Sequence, residues 1–229
     1  MATPTLPRKR NADFPSRESL TAQGVRAAEV MERLLDHFPE TRTALDWKTP
    51  FELLIATILS AQCTDVRVNK VTPELFRRFP DAVAMSKATQ EQLEELVRTT
   101  GFFRNKAKSL LGTGKRLMEV YDGEVPQTMK DLLTLPGVAR KTANCVLGTC
   151  FGIKVGVVVD THVGRISRRM GFTREADPVK VERDLMKVFE QELWVKVSHS
   201  MIDHGRETCT ARTARCEGCL LADICPQRV

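Results

Sequence analysis

Residues 135–148 read LPGVARKTANCVLG and place a Pro-Gly turn directly before a helix. A short amphipathic segment, about 128–133, precedes the turn, so the pattern predicts two helices joined in a hairpin. Such a turn directs backbone N–H groups outward at the positive end of a helix dipole, where a protein can hold a DNA phosphate without reading a base. The residues predicted to make this contact are Gly137, Val138, Ala139 and Arg140.

Lys141 is the candidate nucleophile of this segment. At 100° per residue the second helix has one apolar stripe, and Lys141 lies about 180° from its centre, beside Asn144 and Gly148. A lysine with no function beyond solubility would also suit this position. The first turn of a helix and the neighbouring Arg140 both favour a neutral amine, however, which makes a nucleophilic role chemically reasonable. The apolar stripe consists of Ala139, Ala143, Val146, Leu147 and Cys150.

Asp160 is the candidate catalytic carboxylate. It follows a β-branched run, 155–159, which is too short and unpartnered to form a sheet and is predicted to be a buried connector. The helix after it has an apolar stripe opposite three arginines, and Asp160 is well placed as its N-cap. A carboxylate there can also steady a positive charge or relay a proton, if the fold brings it near Lys141. The three arginines are Arg165, Arg168 and Arg169.

Helical signals also dominate the rest of the chain from about Val25. Convincing strand alternation and internal repeats are absent from the sequence, so the fold class is predicted to be all-α. Residues 1–24 are predicted to be a flexible basic tail, because they combine three prolines and the cluster RKR (8–10) with few large apolar side chains. The pairs that mark helix starts are Thr49 with Glu52, Thr89 with Gln92, and Asp177 with Pro178.

Composition limits the class of protein. The chain has 229 residues, 42% of them hydrophobic and 28% charged, which excludes disorder, collagen and coiled coil as overall descriptions. No run approaches the roughly 20 apolar residues of a membrane helix, and the N-terminus lacks a secretory signal, so we expect a cytoplasmic protein. Lys and Arg (35) outnumber Asp and Glu (29), and the windows 96–118 and 132–159 contain no acid. These windows, with cations such as Lys106, predict a basic face for an anionic partner.

Four of the seven cysteines lie close together near the C-terminus, at a spacing that suits one metal ion or cluster. Only the middle pair is as tight as the pairs of a zinc knuckle, so the spacing favours a larger iron–sulfur core but leaves the metal open. No dinucleotide or flavin motif accompanies the four cysteines, which favours a structural role over electron transfer. The loop between the first two carries Arg212 and Arg215, which are either phosphate contacts or ordinary surface arginines. The four cysteines are Cys209, Cys216, Cys219 and Cys225.

Three motifs and this cysteine spacing together resemble the endonuclease III family, bifunctional DNA glycosylases of the helix-hairpin-helix superfamily. The motifs are LPGVARKTANCVLG (135–148), VDTHVGRISRR (159–169) and LLIATILSAQCTD (53–65). The resemblance implies two helical lobes with the active site in the cleft between them. Residues 45–153 would form a six-helix barrel with the helix-hairpin-helix motif, and residues 25–44 and 154–229 would form a domain that holds a 4Fe-4S cluster on the four cysteines.

The same resemblance implies the activity and its residues. Lys141 matches the family's nucleophile and Asp160 its catalytic aspartate. The substrate would be an oxidised pyrimidine flipped out of double-stranded DNA, with strand cleavage 3′ to the abasic site by β-elimination. Gln62 matches the residue that fills the gap and Phe102 the wedge, and the protein would act as a monomer. Residues in matching motifs that would line the pocket are Ser60, Asp65 and His162.

Two residues depart from the family pattern, and other functions stay open. Ala139 stands where a second glycine is usual, and Phe102 is bulkier than the usual aliphatic wedge. The nearest alternative is a helix-hairpin-helix DNA-binding protein without catalysis. An adenine-type monofunctional glycosylase, which lacks the lysine, and a redox or zinc-sensing protein are the others.

Overall fold

The computed structural model describes residues 18–226, and this part of the chain is built of helices, as the sequence predicts. Within that range the chain has no β-strand, which confirms the predicted all-α class. The helices are α1 (Leu20–His37), α2 (Pro50–Leu59), α3 (Asp65–Arg78), α4 (Ala82–Ser86), α5 (Gln90–Val97), α6 (Phe103–Val120), α7 (Met129–Leu132), α8 (Arg140–Phe151), α9 (Thr161–Arg169), α10 (Pro178–Val188) and α11 (Trp194–Glu207). No helix in this range is both long and apolar enough to cross a membrane.

Two compact units divide the chain. One is formed by residues 43–155 and the other, within the described range, by residues 18–42 and 156–226. The division falls in the predicted connector 155–159, which is mostly buried and forms no strand, as expected from its length.

Helix α2 provides the centre of the core of the 43–155 unit. It packs against α3, α6 and α8 and is buried nearly all round, as its sequence predicts. The Thr49 hydroxyl accepts from the Glu52 N–H at 3.2 Å, with Pro50 at the first helical position. The Glu52 carboxylate accepts from the N–H of Lys48 rather than from that of Thr49, so the predicted capping box forms only in part.

The capping box at α5 forms in full. The Thr89 hydroxyl accepts from the Gln92 N–H, and the Gln92 side chain accepts from the Thr89 N–H at 2.9 Å. A 3₁₀ turn, Arg98–Thr100, follows α5, and Gly101 ends it with φ +71°. A positive φ is available to glycine at little cost, so Gly101 suits the end of this turn.

The second unit is built from α1, α9, α10 and α11 around a separate apolar core. Helix α1 begins at Leu20, so the predicted tail of residues 1–24 is five residues too long. The Ser19 hydroxyl caps the helix by accepting from the Ala22 N–H, and Glu18 forms an ion pair with the buried Arg26 at 2.6 Å. These contacts offset the entropy of ordering the polar segment. The predicted basic cluster 8–10 lies outside the described residues.

Candidate functional site

The turn between α7 and α8 needs a glycine at 137. Gly137 has φ +78°, and a Cβ there would lie 2.8 Å from the Ser109 Cβ of α6 and 3.3 Å from Ile58 Cγ2 of α2. The carbonyl of Pro136 accepts from the Thr113 hydroxyl at 2.9 Å, which fixes the turn to α6. The turn is therefore held closely against the core and leaves the start of α8 at its outer side.

Ala139 is compatible with the backbone at the start of α8. It is the N-cap residue, with φ −100° and ψ 171°, an extended conformation that any residue adopts. The methyl group that replaces the usual glycine therefore introduces no backbone strain. No side-chain hydrogen bond caps α8 at this position, and the positive end of a helix dipole is a favourable place for an anion.

Lys141 is exposed in the first turn of α8, as the helical periodicity predicts. The buried residues of the helix include three from the predicted stripe, Ala143, Val146 and Leu147, but also Asn144. The prediction that Asn144 shares the outer face with Lys141 is therefore wrong. Helix α8 packs against both α2 and α7, and its buried surface is wider than the single apolar stripe.

Gln62 and Phe102 share an unusual backbone conformation. Both are exposed, with φ +51° and +47°, and they are two of only three non-glycine residues with positive φ in residues 18–226. Phe102 keeps 65% of its surface exposed, which excludes a core role for this ring. A left-handed conformation costs a non-glycine residue about 1–2 kcal/mol, and such strain is concentrated at functional positions.

Asp160 caps α9 as predicted. Its carboxylate accepts from the Val163 N–H at 2.8 Å. Burial lowers the pKa of both His162 and His199, and the negative charge of Asp160 opposes this shift in each. The carboxylate therefore lies within electrostatic range of two imidazoles in its own unit. Lys141 belongs to the 43–155 unit.

The remaining pocket candidates have local structural roles. The Ser60 hydroxyl donates to the carbonyl of Thr57 at 2.9 Å at the end of α2, and Asp65 is the first residue of α3. The ring Nδ1 of His162 lies 3.1 Å from Arg165 Nη2.

The four C-terminal cysteines line one pocket of the second unit. In residues 18–226, no group of three or more His, Cys, Asp or Glu side chains is placed to hold a single metal ion. The donor set itself suits a soft metal core, because thiolates are the preferred ligands of iron–sulfur clusters. Burial raises the pKa of the Cys216 and Cys219 thiols, an effect that the positive charge of a metal core opposes.

The helical periodicity places Arg165 and Arg169 on the outer face of α9, but both bind the segment that begins at Cys209. Arg165 donates to the carbonyl of Cys209 at 3.0 Å, and Arg169 donates to Cys209 Sγ at 3.2 Å and to the carbonyl of Thr210 at 2.7 Å. Their partners lie some forty residues away in sequence, so periodicity could not reveal them. Arg212 and Arg215 are exposed in the same segment.

Lys106 is a further residue that the sequence misplaces. It was assigned to the basic face, but only 6% of its surface is exposed and its Nζ donates to the carbonyl of Thr100 at 2.6 Å. The absence of acids in the window 96–118 gave no indication of this burial, because a long lysine side chain can turn inward to a backbone carbonyl.

Replacement of Gly137 by alanine is expected to lower the free energy of unfolding by about 3 kcal/mol, because left-handed strain adds to the contact with Ser109. Gly152→Ala is the matched control at the other end of α8. Its φ is +67° but nothing lies within 4 Å of the new Cβ, so a loss of only about 1 kcal/mol is expected. Urea unfolding of both variants measures the difference, and equal losses would contradict the packing argument.

The geometry agrees with three comparisons to known proteins. Residues 55–191 match the family described as HhH-GPD superfamily base excision DNA repair protein. Endonuclease III of a Synechocystis strain is 55% identical over 88% of this chain and 92% of its own length, and that of Escherichia coli is 42% identical over 86% and 93%. A solved structure of a trapped endonuclease III–DNA covalent intermediate superimposes with a TM-score of 0.84 at 39% identity and covers 90% of this chain and 96% of that one. The chain belongs to the helix-hairpin-helix superfamily of base excision repair proteins and, within it, to the endonuclease III family of DNA glycosylases with AP lyase activity.

Proposed function

We propose that this enzyme removes oxidised pyrimidines from double-stranded DNA with Lys141 as its nucleophile. The observation that carries the proposal is the position of Lys141, exposed in the first turn of α8 directly after the Gly137 turn. An amine there is open to a nucleotide while the turn holds the backbone of the DNA. The likeness to a covalent endonuclease III–DNA complex supports a covalent step.

The chemistry follows from an amine attacking a sugar carbon. The neutral amine of Lys141 forms a bond to C1′ of the flipped nucleotide as the bond from C1′ to the damaged base breaks and the base leaves with the electron pair. Loss of the amine proton and opening of the sugar give a Schiff base. This iminium acidifies the C2′ proton, so loss of that proton expels the 3′ phosphate by β-elimination. Asp160 steadies the positive charge or accepts a proton.

DNA is held by contacts that do not read sequence. The segment 137–140 at the start of α8 is proposed to bind a backbone phosphate on the cleaved strand. The Val138 N–H does not take part, because it donates to the carbonyl of Leu135 at 3.1 Å. Gln62 and Phe102 enter the space left by the extruded nucleotide, which offsets part of the cost of unstacking. Arg212 and Arg215 are exposed and are proposed to contact further phosphates.

The four cysteines are proposed to hold a 4Fe-4S cluster with a structural role. The cluster would fix the segment 209–225, to which Arg165 and Arg169 connect α9 and hence Asp160. We also propose the domain assignment of the sequence analysis, in which residues 45–153 form the barrel and residues 25–44 and 154–229 form the cluster domain. A monomeric protein associated with DNA in the cytoplasm stays a prediction from the sequence.

Purified protein is expected to be brown, with about four irons per chain and broad visible absorbance. Cys216→Ser should lose the iron and the absorbance, because a hydroxyl is a poor ligand for iron. Cys150→Ala is the control, since this thiol lies in the 43–155 unit, where burial raises its pKa to about 12. Stoichiometric zinc in place of iron would overturn the cluster assignment.

Borohydride trapping tests the function as a whole. The enzyme is incubated with duplex DNA that carries one oxidised pyrimidine, and borohydride reduces any Schiff base to a stable link. We expect a covalent protein–DNA adduct and strand cleavage 3′ to the lesion. Duplex binding without an adduct would support a non-catalytic DNA-binding protein, and removal of adenine without an adduct would support the monofunctional glycosylase.

A further inference from the structure

The turn that presents Phe102 is strained, and no side chain caps it. Gly101 and Phe102 both have positive φ, and α6 begins after Phe102 without a side-chain N-cap. A strained segment persists only where its surroundings hold it. Contacts with neighbouring groups must therefore keep the backbone of Phe102 in this conformation.

Lys106 supplies contacts on both sides of Phe102. Its backbone N–H donates to the carbonyl of Phe102 at 3.1 Å, and its ammonium donates to the carbonyl of Thr100 at 2.6 Å. Thr100 is itself only 1% exposed, and its hydroxyl donates to the carbonyl of Val97 at 2.8 Å. The Lys106 side chain thus fixes the chain immediately before Gly101, whereas the bond from its backbone N–H is the ordinary first hydrogen bond of α6.

Burial of this ammonium is costly, so its position requires a reason. Lys106 takes part in none of the ion pairs found among residues 18–226, and burial lowers the pKa of its side chain. An apolar side chain would fill the same space without that cost. The neighbour that opposes the lowering is the thiol of Cys63, which directly follows Gln62. Lys106 is therefore hydrogen-bonded to the residue before Gly101 and lies within electrostatic range of the residue after Gln62.

We infer that Lys106 is a positioning residue for base extrusion, which holds the Thr100 carbonyl so that Phe102 stays exposed in the left-handed conformation that enters the gap in the duplex. The inference rests on the proposed role of Phe102 and names the residue on which that role depends. Its effect is confined to DNA in which a gap must be filled. The reaction at Lys141 on an unpaired strand needs no wedge.

The first measurement compares Lys106→Met on two substrates. Single-turnover trapping is followed on a duplex with one oxidised pyrimidine and on a single strand with one abasic site. We expect about a tenfold slower rate on the duplex, since a charge-assisted hydrogen bond is lost, and a rate within about twofold of the wild type on the single strand. Lys87→Met removes one exposed positive charge from the same unit and is expected to match the wild type on both. Equal rates for Lys106→Met and wild type on the duplex would overturn the inference.

A double-mutant cycle separates positioning from a general structural effect. If Lys106 acts through Phe102, adding Lys106→Met to Phe102→Ala leaves the duplex rate within about twofold of Phe102→Ala alone. Multiplied effects of the two changes would overturn the inference. If Lys106→Met does not fold, Lys106→Arg takes its place in the double-mutant cycle. This change keeps a charged donor but alters the length of the side chain. Failure of the wild type to form any adduct would instead refute the proposed function.

Discussion

Lys141→Ala is expected to abolish borohydride-trapped adducts and to slow base removal by at least about 10³-fold, because no other group replaces a missing nucleophile. The variant should fold normally, since Lys141 is exposed and alanine favours a helix. It should also bind duplex DNA, because the Gly137 turn and the N–H groups of α8 are unchanged. Trapping at saturating enzyme and a DNA-binding titration measure the two properties separately.

Lys130→Ala is the matched control for this experiment. Lys130 is also an exposed lysine of the helical hairpin, in α7 on the other side of the turn. It is expected to leave trapping unchanged, which separates the loss of a positive charge from the loss of the nucleophile. Undiminished trapping in Lys141→Ala would show that another amine forms the Schiff base and would refute the assignment.

Asp160→Asn is expected to reduce single-turnover cleavage by about 10²–10⁴-fold while the protein remains folded and binds DNA. Asparagine is as good an N-cap as aspartate, and its side-chain oxygen can still accept from the Val163 N–H. The substitution therefore removes the negative charge and keeps the helix start. Thermal unfolding and the single-turnover rate together show whether the two roles of Asp160 separate.

Asp177→Asn provides the same chemical change at another helix start. Asp177 caps α10 by accepting from the N–H groups of Val179 and Lys180. It is expected to unfold at nearly the same temperature as the wild type and to cleave DNA at the same rate. Unchanged cleavage by Asp160→Asn would reduce Asp160 to a cap and leave the charge on the Schiff base without its proposed partner.

Features set by short-range interactions were predictable from the sequence. The starts of α2, α5, α9 and α10 follow from a hydroxyl or carboxylate that accepts a hydrogen bond two or three residues ahead. The exposure of Lys141 follows from the helical period. The four closely spaced cysteines line one pocket, while a metal site there stays a prediction. In each case the residues concerned are close together in the chain, so the sequence pattern is enough to predict the feature.

The side chains that the sequence misplaced have partners that are distant in the chain or turn inward. Arg165 and Arg169 were assigned to the outer face of α9, but they bind a segment some forty residues later. Asn144 was placed beside Lys141 and is buried. Lys106 was counted as part of a basic face and instead donates to a buried carbonyl. A helical wheel assigns a face from polarity alone, and it cannot show which neighbour covers that face.

The sequence by itself determined the all-α class, the helix starts, the family and the candidate nucleophile, because each depends on residue type at a fixed local spacing. Only the tertiary structure decided that Phe102 is exposed in a strained turn, that Ala139 is unstrained, and that the buried Lys106 donates to the carbonyl of Thr100. These facts depend on backbone torsions and on contacts between α6 and its neighbours. Tertiary packing, and not amino-acid composition, determines these torsions and contacts.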